Sequence, residues 1–234
     1  MTRKATATTT TTASRTTATT HDGRTTRRWA LGGALLGVLT LVAPSGALAG
    51  SRILCDVVEI GEARSLPWRS GKGWHLPSSD YPPQRLVPDT LALLTPTMPV
   101  LVRIETLRRA TIYARSFTGT NVGRELAWRL MARAVEAEAR GKPDALALFD
   151  AGYFAESLEQ WDEDWVRQVD GYALVQRATA LRPDDAEIEL GAMFVAGQNP
   201  RRPGPHFQKV SAAARKHPQL ARNLAVLYPE AGGR

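Results

Sequence analysis

The stretch GYALVQRATALRPDDAEIELGAMF, residues 171–194, decides the fold. Tyr172, Val175 and Ala178 stand three apart, the spacing of one helical face. Pro183 stops that helix, because it has no N–H to donate and its ring collides with the preceding turn. Asp184–Asp185–Ala186 follows it. The same columns return 35 residues later as Phe207, Val210, Ala213, Pro218 and Ala221. A period in the mid-thirties is that of a helix–turn–helix repeat. Small residues at the Ala columns let the two helices of such a unit approach closely.

These residues resemble the tetratricopeptide repeat around its inter-repeat turn. In that family a helix with a late small residue, here Ala178, ends in a Pro, here Pro183, and the next helix starts at an acidic or small cluster. Gly141, Ala145, Phe149 and Gly152 are a fainter echo upstream, so the resemblance covers about residues 141–228. Leu190–Gly191 comes two positions earlier after the Pro than the family's Leu–Gly pair, and the family's first-helix Tyr is absent. The resemblance implies a tetratricopeptide-like α-solenoid of helical hairpins and, with it, protein–protein or peptide binding.

Working back from the repeat, the chain stays helical to residue 89. Asp89 is placed to cap a short helix ending near Leu94. Pro99 opens the next, with Leu101, Ile104, Leu107, Ala110, Ala114 and Phe117 on one face and Gly119 at its end. Asn121 is placed to cap a third, whose stripe is Val122, Leu126, Leu130, Ala134 and Ala137. Arg140–Gly141–Lys142–Pro143 is a stop, and Asp144–Ala151 reads as a further turn or two. Leu158, Trp161, Trp165, Val166 and Val169 give one more stripe, in which both Trp read as core.

Before residue 89 the pattern changes. RILCDVVEI, residues 52–60, is rich in β-branched and aliphatic side chains and reads as a short strand, with Cys55 a small apolar residue within it. Residues 61–88 hold three Gly and five Pro, which rules out a long element and predicts an irregular arm. Trp68, Trp74 and His75 fall in that arm. They either pin it to the helical body or line a loop-built site, since exposed aromatic faces stack on ligands.

Residues 1–49 read as a signal peptide: a Thr/Ala-rich basic region, the uncharged core Trp29–Ala43, the break at Pro44, and small residues at Ala47 and Ala49 that direct cleavage before Gly50. The apolar core has 15 residues, short of the ~20 that a spanning helix needs. Thr26–Arg27–Arg28–Trp29–Ala30–Leu31 resembles the twin-arginine export motif, with Ala30 and Gly32 where the motif has Phe and Lys, and ordinary secretion is the alternative route. The expected organisation is 1–49 leader, 50–88 strand and arm, 89–228 helical domain and 229–234 tail. The expected location is periplasmic or secreted.

The formal charge of +7 belongs mostly to the leader, which has six basic residues and one acidic. The remainder holds 24 basic against 22 acidic, too even for a phosphate-binding footprint, so nucleic acid is not an expected partner. A lone Cys55 leaves no intramolecular disulfide. The three His outside the leader, His75, His206 and His217, have no metal-pair spacing, and His206 beside Pro205 reads as exposed. No phosphate loop, nucleophile elbow or other catalytic motif is present, and no cofactor or metal is expected. Asp162–Glu163–Asp164 reads as a solvated acidic face.

Charge is nonetheless segregated: residues 103–133 hold seven Arg against two Glu, and residues 134–170 hold three basic against ten acidic side chains. Arg129 and Arg133, four apart on the third helix, are therefore the candidate partner-binding residues, with pairing to the acidic stretch, Glu136 for Arg133, as the structural alternative. The sequence thus predicts an exported bacterial helical-repeat protein, a protein- or peptide-binding module. The alternative is a secreted or periplasmic enzyme with a site near Trp68, Trp74 and His75.

Overall fold

The computed structural model describes residues 52–69, 75–160, 165–197 and 204–229. The leader, with Arg27, Arg28, Ala47 and Ala49, lies outside the described residues, as do Trp74, Trp161 and the acidic cluster 162–164. The described residues are mainly helical, with nine α-helices and no strand. In chain order these are α1 (Arg52–Cys55), α2 (Leu86–Leu93), α3 (Val100–Ser116), α4 (Val122–Ala139), α5 (Ala145–Glu159), α6 (Gly171–Leu181), α7 (Ala186–Val195), α8 (Pro205–Ala214) and α9 (Pro218–Leu227). No helix among them is long and apolar enough to cross a membrane.

Aspartates cap α5, α6 and α7, whereas Asn121, expected to cap α4, makes no side-chain capping bond. The Asp144 carboxylate accepts from the N–H of Leu146 at 2.9 Å and of Ala147 at 3.4 Å, and so caps α5. Asp170 accepts from Ala173 N at 2.8 Å, and Asp185 accepts from Glu187 N and Ile188 N, each at 3.2 Å. Each cap stabilises its helix by about 1 kcal/mol. Gly119 and Gly141 follow the ends of α3 and α4 at φ of 76° and 67°, left-handed values that favour glycine.

Sequence neighbours from α2 to α9 pack on one another, with α5 at the centre against α3, α4, α6 and α7. Helix α6 packs on α7 and α8 on α9, and Val175, Ala178 and Val210 are buried. Gly191 serves a different purpose. A Cβ there would stand 2.4 Å from the Phe149 ring, so α7 presents bare backbone to α5 and the ring lies against it.

Four expectations are corrected. Residues 52–60 form no strand: Arg52–Cys55 is one helical turn, and the extended run after it pairs with side chains. Cys55 is exposed while its neighbours Ile53 and Leu54 are buried, because a single helical turn points alternate positions in different directions. The first helix after the arm starts at Leu86, not at Asp89, and includes Pro88. Proline is tolerated in a first turn, where the N–H has no intrahelical acceptor anyway. Asp89 instead binds Arg85 and accepts from the Tyr81 hydroxyl at 3.0 Å. Finally, the stripe from Leu158 to Val169 is not one helix. Leu158 lies in the last turn of α5, and Trp165 and Val166 lie in a turn with Val166 buried.

Candidate functional site

An open cleft of about 600 Å³ lies where the connection from α2 to α3 meets the turn from α6 to α7 and the start of α9. Met98, Val100, Leu146 and Leu220 give it an apolar floor, and Thr97, Arg182, Asp184 and His217 give it a polar rim. The first turns of α3, α5, α7 and α9 meet at this end. Glu187 fixes the wall by accepting from Leu101 N at 3.0 Å, and Arg182 sits 3.5 Å from Asp185. A second, more apolar hollow of about 250 Å³ is bounded by Ala127, Trp128 and Met131 of α4, by Ala155 of α5, and by Trp165 and Val169.

The buried charges are elsewhere. Helix α3 sinks Arg103, Glu105 and Arg108 into the interior. Glu105 accepts from Arg108 Nε at 2.7 Å and Nη2 at 2.8 Å, from Arg109 Nε at 2.7 Å and from Val58 N at 3.3 Å. Arg108 also donates to the Leu54 carbonyl at 3.1 Å, and Arg109 to that of Leu66 at 2.8 Å. Trp68 stacks against both guanidinium groups, at 5.2 and 5.4 Å, and meets Tyr113 edge-on. The arm is therefore held by α3, and Trp68 is engaged in that packing. His75 is exposed.

Arg103 pairs with Asp150 of α5 at 2.5 Å and donates to the Thr95 carbonyl at 2.5 Å. Complete burial pushes the Asp150 carboxyl up to about 7, with Arg103 pulling the other way. Burial also raises the Tyr113 hydroxyl, which donates to the Pro67 carbonyl at 2.6 Å.

His206 is buried, contrary to expectation. Its Nδ1 lies 2.5 Å from Glu189 Oε2 and its Nε2 3.2 Å from the Tyr172 hydroxyl, while Lys209 Nζ meets Glu189 Oε1 at 2.5 Å. A carboxylate on one ring nitrogen and a phenol on the other fix the imidazole's orientation. The chain of groups ties α6, α7 and α8 together, and the cleft is lined by His217 instead. Periodicity held the missed signal: His206 and Val210 are four apart on α8 and share its inner face.

Arg129 and Arg133 sit in different surroundings. Arg129 is exposed, 3.6 Å from Glu125. Arg133 is half-buried and donates to the Leu91 carbonyl at 3.1 Å, holding α2, while Glu136 lies 3.9 Å from Arg140. Among the described residues no group of three His, Cys, Asp or Glu is placed to hold a metal ion. No protein-family model, curated protein or solved structure matches the chain.

Proposed function

We propose that this chain is an exported, tetratricopeptide-like helical protein that binds a segment of another protein in the cleft at the helix starts. The cleft itself carries the reading. Its apolar floor and polar rim are the features of a surface that buries side chains of an extended segment while its backbone stays hydrated. Arg103–Asp150 and His206–Glu189 each hold one helix to another and Arg108 of the Glu105 pair holds the Leu54 carbonyl, whereas the cleft is open. The alternative of an enzyme at Trp68 is less favoured, because that ring is committed to Arg108, Arg109 and Tyr113.

The test is capture of partners from the producing cells by tagged protein, with Thr97→Trp as the comparison. Thr97 is exposed on the rim, so the larger side chain fills the opening without entering the core. Loss of capture with an unchanged melt is the expected result. Equal capture by both proteins overturns it. Export is tested by sequencing the recovered protein, which is expected to begin at Gly50. Replacing Arg27 and Arg28 by Lys is expected to block export if the twin-arginine route is used.

A further inference from the structure

Helix α4 has two apolar faces, and the fold uses one. Leu126, Leu130, Ala134 and Ala137 are buried against the body. On the opposite side Trp128, Ala132, Val135 and Ala139, spaced four, three and four apart, are all exposed. Trp128 leaves 67% of its surface in water and Val135 54%. A two-faced helix at the edge of a helical body exposes a strip that water solvates poorly.

The charges beside this strip are arranged with a symmetry. At 100° per residue Glu125, Arg129, Glu136 and Arg140 fall along one edge of it, and all four are exposed. Read from either end the row alternates so that each acid has a base at the mirrored position. The other edge is engaged within the protomer: Glu138 pairs with Arg177, and Arg124 lies over the Trp165 ring at 5.3 Å.

We propose that this face of α4 binds α4 of a second copy of the chain, antiparallel, about a two-fold axis near residue 133. In that arrangement the same edges face each other. Arg129 meets Glu136 of the second copy and Glu125 meets Arg140, each twice by symmetry. Trp128 comes over Ala139 of the second copy and Val135 over Ala132, so large side chains meet small ones in every layer. A parallel pair instead sets this row against the other edge of the second copy, where Glu138 and Arg124 are already engaged within the protomer. The 18 residues of α4 give about 27 Å of contact. One helix pair is at the small end of specific interfaces, below ~1,200 Å², so a micromolar dimer is expected. This surface is distinct from the cleft, and the two readings fail independently.

The experiment is light scattering on the purified protein, up to about 100 µM, where a ~10 µM dimer is largely formed. The unaltered protein is expected to be a dimer. Arg129→Glu and Glu136→Arg are each expected to be monomeric, because each places like charges opposite one another. An equimolar mixture of the two variants is expected to associate again, since positions 129 and 136 then face opposite charges across the pair and Glu125 still meets Arg140. Trp128→Ala, at an exposed position, is expected to weaken association roughly tenfold or more with its melt unchanged. A monomer across the whole range overturns the proposal. So does a dimer indifferent to all three substitutions, or a mixture that stays monomeric while both variants melt as the unaltered protein does.

Discussion

Gly152 of α5 and Gly171 of α6 meet backbone to backbone. A Cβ on Gly152 would lie 2.5 Å from the Gly171 carbonyl oxygen and 2.9 Å from Leu174 Cβ, and one on Gly171 would lie 2.6 Å from the Gly152 carbonyl oxygen. The close approach lets Glu156, whose carboxyl is raised by burial, accept from Tyr172 N at 2.8 Å and so satisfy the first turn of α6.

Gly152→Ala is therefore expected to destabilise the protein by about 1–3 kcal/mol, the usual cost of overpacking, despite alanine's higher helix propensity. Gly123→Ala is the control: its Cβ meets Ala114 Cβ at 3.1 Å and no backbone atom. Urea denaturation is expected to rank Gly152→Ala well below Gly123→Ala.

Stability is expected to carry a pH signature from Asp150. Its carboxyl titrates near 7 when folded against an ordinary value of 3.8, so between roughly those limits the native state holds a proton that the unfolded chain has released. This group's contribution is greatest below the unfolded value, falls as pH rises toward 7 and is flat above. Denaturation midpoints of Asp150→Asn and of the unaltered protein, compared from pH 4 to 8, are expected to differ in slope by this effect, a few kcal/mol in all. Equal slopes show that Asp150 is ionised throughout.

Glu105 is expected to tolerate even a small change badly. Glu105→Gln leaves the fully buried Arg108 without its charge partner, a loss of about 3–5 kcal/mol. Glu136→Gln, on the surface, is expected to cost no more than ~0.5 kcal/mol. Trp68 reports the event, since its ring lies on the two guanidinium groups that Glu105 holds, and a red-shifted emission is the expected sign that the arm has loosened.

Asn223→Ala is expected to cost about 1–3 kcal/mol, because Asn223 does for Glu59 what a neighbouring strand would do. Its amide oxygen accepts from Glu59 N at 2.7 Å and its amide nitrogen donates to the Glu59 carbonyl at 2.9 Å. Asn223→Asp, which keeps the acceptor and loses the donor, is expected to fall between. Thermal melts of both variants check the order.

That pairing also explains what the sequence could and could not tell. The β-branched run at 57–60 does select an extended backbone, but an extended backbone needs partners for its N–H and C=O groups, not a strand. Which groups supply them depends on Asn223 and Glu105, far along the chain. Helices α3, α4 and α7 were legible because periodicity and the acidic start at Asp185 are local, whereas α5, read as a turn or two from Asp144, runs on to Glu159, and Asp170, read as closing a helix, opens α6. His206 was misplaced because neighbouring Pro205 suggested a loop, whereas proline opens α8. Arg103 and Arg108 carried no sign of burial, since only the fold brings Asp150 and the Leu54 carbonyl to them. The cleft was not legible at all, being made of four segments distant in sequence.

The bond between Glu59 and Asn223 spans 164 residues. A ribosome adding about 5–20 residues per second exposes the first partner roughly ten to thirty seconds before the second. Throughout that interval the extended run lacks its native clasp, and a chaperone has time to occupy it.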